Sequence, residues 1–198
     1  MAHPLGKKGR VTSVTHNRDI RLEDPPPKKL GTWLRNFVKP VIERASASTQ
    51  FGSGLNGGST ETTYLAHNAA IEAATCRGLS SASVFVDIAS AFSEVQRCLI
   101  MDDMQSEQRL LDALTKYGIE KSLAEEIVAE VADTTFWEEN GASAHLQEMI
   151  AASLQNSFAS FEGTVGGCVM QQGTGAGNPL ADILFAIAFC KVIARLRR

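Results

Sequence analysis

A chain of 198 residues, 44% hydrophobic and 21% charged, is long enough for one sizeable core or two small lobes and has the balance of an ordinary soluble fold. Its cysteines (Cys76, Cys98, Cys168, Cys190) and histidines (His3, His16, His67, His145) are scattered, with no CxxC pair and no metal-ligand spacing. That argues against a zinc site or disulfide framework and for a reducing, intracellular compartment. The net charge of −3 is sectored: residues 1–44 carry ten Lys/Arg against four Asp/Glu, residues 45–186 five against eighteen, and the last twelve add Lys191, Arg195, Arg197 and Arg198. Such sectoring fits a phosphate-contacting lobe beside an acidic body, and it fits a flexible basic arm equally well.

Residues 1–10 are polar and basic where a signal peptide needs an apolar run. No periodicity follows before Pro25-Pro26-Pro27, which predicts a stiff extended connector. Apolar residues at Leu30, Trp33, Leu34, Phe37, Val38 and Val41 then predict a helix over 30–43, ended or kinked at Pro40. The glycine-rich stretch 50–61 satisfies two nucleotide-loop patterns on paper, Gly52-x-Gly54-x-x-Gly57 and a Walker-like Gly52-x4-Gly57-Gly58-Ser59. Both need a preceding strand, and the Ala/Ser-rich 45–50 offers none; the Walker lysine is also replaced by Gly58. A helix is predicted from Thr60 to about Arg77, with Tyr64, Leu65, Asn68 and Ile71 along one side and Gly78 closing it.

Ser83-Val84-Phe85-Val86 reads as a buried strand ending on the carboxylate of Asp87, before a helical pattern through Phe92 and Val95. A carboxylate there either meets solvent at the strand end or is compensated by a cation or a set of donors. Asp102 and Asp103 sit in a helical pattern and are expected to be a solvated helix end. Amphipathic helices follow at 106–117 and 122–132, the second opening with a capping box, Ser122-x-x-Glu125. Phe136, Trp137 and Phe158 are expected in core or edge packing, and residues 157–161 and 166–170 as a hairpin. Asn178 and Pro179 mark a helix start, and the apolar run 179–196, interrupted by Asp182, Lys191 and Arg195, predicts a buried helix rather than a membrane span.

The wording Phe85-Val86-Asp87-Ile88-x-x-Ala91-Phe92-x-x-Val95 resembles motif A of reverse transcriptases, especially those of non-LTR retrotransposons. The resemblance implies that Asp87 is the catalytic, Mg²⁺-holding carboxylate. It implies too that Ile88 and Phe92 contact the incoming nucleotide, Phe92 lying under its sugar; Ser93 stands where the family often has a second Asp. Pro4-Leu5-Gly6-Lys7-Lys8-Gly9 with Asn17-Arg18-Asp19-Ile20-Arg21-Leu22 loosely resembles the first fingers motif, making Arg18 a nucleotide-binding candidate. Gln50-x-Gly52-x-x-x-x-Gly57-x-Ser59-Thr60 resembles the second fingers motif, without the usual basic residue in its turn. Gly177-Asn178-Pro179-Leu180 and Leu184-Phe185 resemble motif B, whose glycine lets the backbone approach the template base and primer end. Anchoring that motif on Pro179-Leu180 keeps the helix in register; anchoring it on Gln172-Gly173 needs four extra residues.

The fold expected from these matches is α+β, a partial right-hand polymerase: helix-rich, with a small antiparallel sheet. Residues 1–80 would form a fingers-like lobe with a basic leader, and residues 81–198 an incomplete palm. The partners implied are RNA or DNA template-primer and a dNTP, without a membrane. The Tyr-x-Asp-Asp hairpin of motif C has no counterpart, because Asp102-Asp103 lies only fifteen residues past Asp87. The expected Mg²⁺ site is therefore incomplete, the chain inactive alone, and the strand carrying Asp87 an unpaired sheet edge prone to self-association. Two other readings stay open, a non-catalytic helical interaction protein and a nucleotide-binding α/β domain.

Overall fold

Two helices laid against each other organise the core. α1 (Pro25–Ala45) repeats buried residues at Leu34, Val38, Val41 and Ile42, one stripe of an amphipathic helix. α8 (Ala181–Leu196) faces it with Ile183, Leu184 and Ile187, all essentially inaccessible to solvent. Leu55, Val95, Ile100, Met101, Trp137, Ile150 and Leu154 complete a single apolar cluster, so α1 shares its core with segments on the far side of residue 80. The computed structural model describes residues 2–6, 17–21, 23–88, 90–101, 103–132, 135–155, 157–160 and 165–196.

Among the described residues the architecture is helix-rich α+β with two small antiparallel ribbons. β1 (Ala2–Gly6) pairs with β2 (Asn17–Arg21), placing Leu5 opposite Arg18, so part of the aperiodic leader is a ribbon. α1 begins inside the proline run, not after it. The first helical turn has no use for its backbone N–H groups, and proline's fixed φ suits those positions, so Pro25 opens a helix instead of a connector. Pro40 does not end α1 either, because Val38, Val41 and Ile42 are buried on both sides of it and hold the next turn in place.

α2 (Thr60–Cys76) forms as its caps predict. Ser59 and Thr62 make a capping box, and Gly78, at φ +67°, closes the other end, with Leu79 N–H donating to Ala74 O at 2.9 Å and Gly78 N–H to Thr75 O at 3.0 Å. Yet α2 buries no residue.

Residues 79–88 depart furthest from expectation. The predicted strand is absent: the segment is irregular, and among the described residues no backbone hydrogen bond reaches 80–88. Val84 and Phe85 are 85% exposed and Val86 80%. A strand needs a partner ladder, and β-branched residues supply the propensity without supplying the partner.

Short helices α3 (Ala91–Glu94) and α6 (Thr135–Glu139) alternate with α4 (Met104–Lys116), α5 (Lys121–Val131) and α7 (Ala144–Gln155). Asp103 is a helix end as expected and a working cap, accepting the Ser106 N–H at 3.0 Å; Asp102 lies outside the described residues. The Ser122 capping box does not form. α5 starts at Lys121, which puts Ser122 inside the first turn, where its hydroxyl donates to Glu120 at 3.0 Å. Trp137 is buried, donating its indole N–H to Ile100 O at 2.6 Å, Phe136 packs at the core's margin, and Phe158 is exposed on an edge strand.

The predicted hairpin is reduced to β3 (Phe158–Ala159) and β4 (Cys168–Val169), extended by Met170 N–H to Ser157 O at 2.9 Å. All four cysteines are free; burial pushes the Cys98 and Cys190 thiols up, against hydrogen bonds with Ser106 and Gln50 respectively. No helix among the described residues is long and apolar enough to cross a membrane.

Candidate functional site

Where α3 meets the loop before α8, two segments far apart in sequence are bound backbone to backbone. Gly173 N–H donates to Val95 O at 2.9 Å and Thr174 N–H to Phe92 O at 2.8 Å. Gln172 Nε2 donates to Glu94 at 3.0 Å, and the Phe92 ring meets Phe185 of α8 edge-on with centroids 5.7 Å apart. Gly173 has to be glycine on two counts. Its φ is +78°, and a Cβ would lie 2.7 Å from Phe92 O and 2.8 Å from Ser93 O, closer than carbon and oxygen approach without displacement. Its own carbonyl accepts from Nε of Arg97 at 3.2 Å, and Arg97 is only 3% exposed and also donates to Ser157 Oγ at 2.8 Å.

The result is an open groove of about 420 Å³ lined by Phe92, Arg35, Asp182 and the turn Ala176-Gly177-Asn178-Pro179. Asn178 holds that turn together. Its Oδ1 accepts the Leu180 N–H at 2.7 Å and its Nδ2 donates to Glu23 at 2.8 Å. α8 starts at Ala181, so Asn178 caps the turn leading into the helix and Pro179 precedes the first helical position.

Arg35 ties the groove floor to two other elements. Its guanidinium pairs with the Asp182 carboxylate and donates to Pro179 O at 2.8 Å and to Ser53 O at 2.9 Å. A planar fork satisfying a carboxylate and two carbonyls fixes α1, the glycine loop and the head of α8 relative to one another.

The glycine loop is a three-ten turn over Gly52–Gly57 with positive φ at Ser53, Gly54, Asn56 and Gly57. The element leading into it is α1 and not a strand. The Asn56 amide donates inward to Ser46 Oγ, Ala47 O and Gln50 O at 2.9–3.2 Å. The residue facing back into the turn therefore braces the end of α1, and the loop lacks the strand-to-helix setting that a phosphate-binding loop requires. Ser59 donates to Glu61 at 2.6 Å and holds that exposed carboxyl below its ordinary range, marking the start of α2 as already supplied with an anion.

The structure brings together only part of the predicted site. Phe92 shares its groove with Gly177, Asn178 and Pro179. Asp87 and Ile88 do not line that groove; both are exposed on the irregular segment before α3. Arg18 is carried on β2. As a metal ligand Asp87 offers one carboxylate on a segment without a hydrogen-bonded frame. Among the described residues no three His, Cys, Asp or Glu side chains gather into a group able to hold a metal ion. Mg²⁺ takes one or two carboxylates together with phosphates and waters, and of that set Asp87 offers one carboxylate.

Three groups in the site carry no local sequence signal of their role: Arg35, Asp182 and Arg97. Their partners are 147 residues away for the Arg35–Asp182 pair and 76 for Arg97–Gly173. Gly173 did carry a signal, the Gln172-Gly173 wording of the alternative motif B alignment. The glycine whose bare backbone permits close approach to α3 is this one, while Gly177 lines the groove.

Set against known proteins, the chain matches no family model, no curated protein and no solved structure.

Proposed function

We propose that this chain is the nucleic-acid-binding part of a template-directed nucleotidyl transferase of the retroelement reverse-transcriptase type, and that it does not polymerise DNA by itself. The observation that carries the reading is the shared groove. Phe92, from the stretch resembling motif A, and Gly177-Asn178-Pro179, from the stretch resembling motif B, are more than eighty residues apart and line one cleft. An aromatic ring beside a glycine turn is a surface on which a sugar or base can lie close to backbone. The basic amino-terminal sector, ten Lys/Arg against four Asp/Glu over residues 1–44, would contribute phosphate contacts. On this reading the partners are an RNA or DNA template-primer and a dNTP. Because Asp87 alone does not make a Mg²⁺ site, no bond-making step is assigned to the chain.

Fluorescence anisotropy of a labelled primed RNA tests the binding. Affinity at low salt is expected, its logarithm falling linearly with log salt, and Phe92→Ala is expected to weaken it several-fold without changing that slope. Adding dNTPs and Mg²⁺ is expected to give no primer extension; template-dependent extension would overturn the second half of the proposal.

A second reading, a non-catalytic helical interaction protein, is favoured by one observation: Tyr64, Leu65, Val84, Phe85 and Val86 are all exposed apolar side chains, Tyr64 and Phe85 lining one cleft. Absence of any RNA affinity at low salt would decide for it.

A further inference from the structure

α1, α7, β3 and the loop before α8 wall a cavity of about 400 Å³, distinct from the groove, with which it shares only Asn178. Small-molecule sites run from about 300 to 1,000 Å³. Pro27, Leu30, Leu34, Leu154, Phe158 and Leu184 make most of the wall apolar.

The polar side chains in that wall are of one kind. Glu23 and Asp24 bring two carboxylates, and among the described residues no Lys, Arg or His lines the cavity. The hydroxyls have already given their protons to main-chain carbonyls: Ser153 to Ile150 O at 2.7 Å, Ser157 to Leu154 O at 2.8 Å and Thr174 to Ala181 O at 3.1 Å. What they still offer is lone pairs. A lining that accepts hydrogen bonds and carries negative charge suits an occupant that donates them and is positive.

Glu23 marks where the positive group belongs. Its Oε1 accepts from Asn178 Nδ2 at 2.8 Å, whereas Oε2 is buried and has no hydrogen-bond partner among the described residues. A buried carboxylate oxygen without a donor destabilises the folded chain, and a donor brought by a ligand restores the loss. The last torsion of a glutamate is soft and roughly two-fold, so the carboxylate can turn to a ligand without moving the backbone. Asp24 adjoins it, and its side chain makes no capping hydrogen bond at the start of α1.

We propose that this cavity binds a small amine, an ammonium group on an apolar body, with Glu23 as its counter-ion and Asp24 adding to the negative field. Walls drawn from separate elements around a bounded volume fit a small molecule better than the flat face of a macromolecule. The assignment goes beyond the polymerase reading and does not rest on it, and its test contains no nucleic acid.

Isothermal titration of the intact chain with phenylbutylamine, phenylbutanol and phenylbutyrate presents one apolar body with a cation, a neutral hydroxyl and an anion. The amine is expected to bind with a submillimolar Kd and the acid not measurably. The alcohol is expected to bind about tenfold more weakly than the amine, the factor set by a hydrogen bond to a charged group. Glu23→Gln is expected to weaken the amine by a similar factor and leave the alcohol unchanged, a split that a loss of folding does not produce. Ala152→Trp, at an exposed position on the cavity wall, is expected to abolish binding of both with urea unfolding unchanged. No amine binding, alcohol and amine binding equally, or amine affinity untouched by Glu23→Gln or by Ala152→Trp would each overturn the proposal. Tighter binding of N-acetyl-lysine amide than of phenylbutylamine would overturn the small-molecule assignment in favour of a partner protein's lysine.

Discussion

α1 and α2 are both long, well-formed helices, of 21 and 17 residues, and they differ almost completely in what they do for the fold. α1 inserts Leu34, Val38, Val41 and Ile42 into the common core and sends Arg35 across to α8 and the glycine loop. α2 has the better caps and no buried side chain. Helix formation and helix burial are thus separate achievements. Caps and straight-chain residues secure the first locally, whereas the second needs an apolar stripe and another surface to meet it. The α1–α8 side of the molecule spends its apolar residues internally; α2 and the segment after it leave theirs facing outward.

The sharpest way to break this contrast is truncation on each side. Trp137→Ala should cost about 3–5 kcal/mol of unfolding free energy and Ile187→Ala about 2–5 kcal/mol, since each empties a fully buried site. Leu65→Ala or Val84→Ala should stay within about 0.5 kcal/mol, because both side chains are largely in solvent. Urea denaturation of dilute, monomeric protein measures both, and comparable losses would show that α2 and the segment after it belong to the core.

Gly173→Ala should cost on the order of 2 kcal/mol from its left-handed backbone alone, with a further loss from the clash against Phe92 O and Ser93 O. Gly54→Ala, where a Cβ meets nothing within 4 Å, should cost only the backbone part. If the Gly173 variant binds primed RNA as well as the parent, the α3–turn junction does not shape the groove.

The smallest effect concerns the thiols. Cys98 and Cys190 are buried and their pKa values raised, so the unfolded chain releases these protons before the folded chain does. The stability they contribute is complete below the ordinary thiol range near 9.0 and is lost as pH rises through their folded values. Urea midpoints in reductant should therefore drift down above about pH 9, and by less in Cys98→Ala. Cys76 and Cys168, both exposed, should react with a thiol reagent in the native protein well before the buried pair.

Much of the helical framework could be read from residues a few positions apart. The stripes of α1, α4 and α8, the closure of α2 at Gly78 and the turn at Asn178 all follow from local pattern. So does the small hairpin near Phe158 and Cys168. The errors were of one kind. Pro25-Pro26-Pro27 reads as a connector and is a helix start; Ser122 reads as a cap and is the second residue of α5. Ser83-Val84-Phe85-Val86 read as a buried strand and proved exposed. Each of these patterns is compatible with two structures; for Ser122 the neighbouring Glu120 makes the choice, and for Ser83-Val84-Phe85-Val86 the lack of a strand partner among the described residues.

Of the candidate site, Phe92 and the Gly177-Asn178-Pro179 turn were legible as wording, and their meeting in one groove was not. Arg35, Asp182 and Arg97 were invisible, because a charged residue looks the same in sequence whether it is solvated or joins segments that lie far apart along the chain.

By itself the sequence determined which stretches become α1, α2, α4, α5 and α8, where α2 begins and ends, and that the middle of the molecule would be acidic and its amino-terminal sector basic. Those properties depend on neighbours within about one helical turn. Tertiary structure alone decided which apolar runs became core, that Gly173 had to be bare, and that Val84, Phe85 and Val86 would stand exposed. Burial and strand pairing are properties of two surfaces, and one segment of chain specifies only its own.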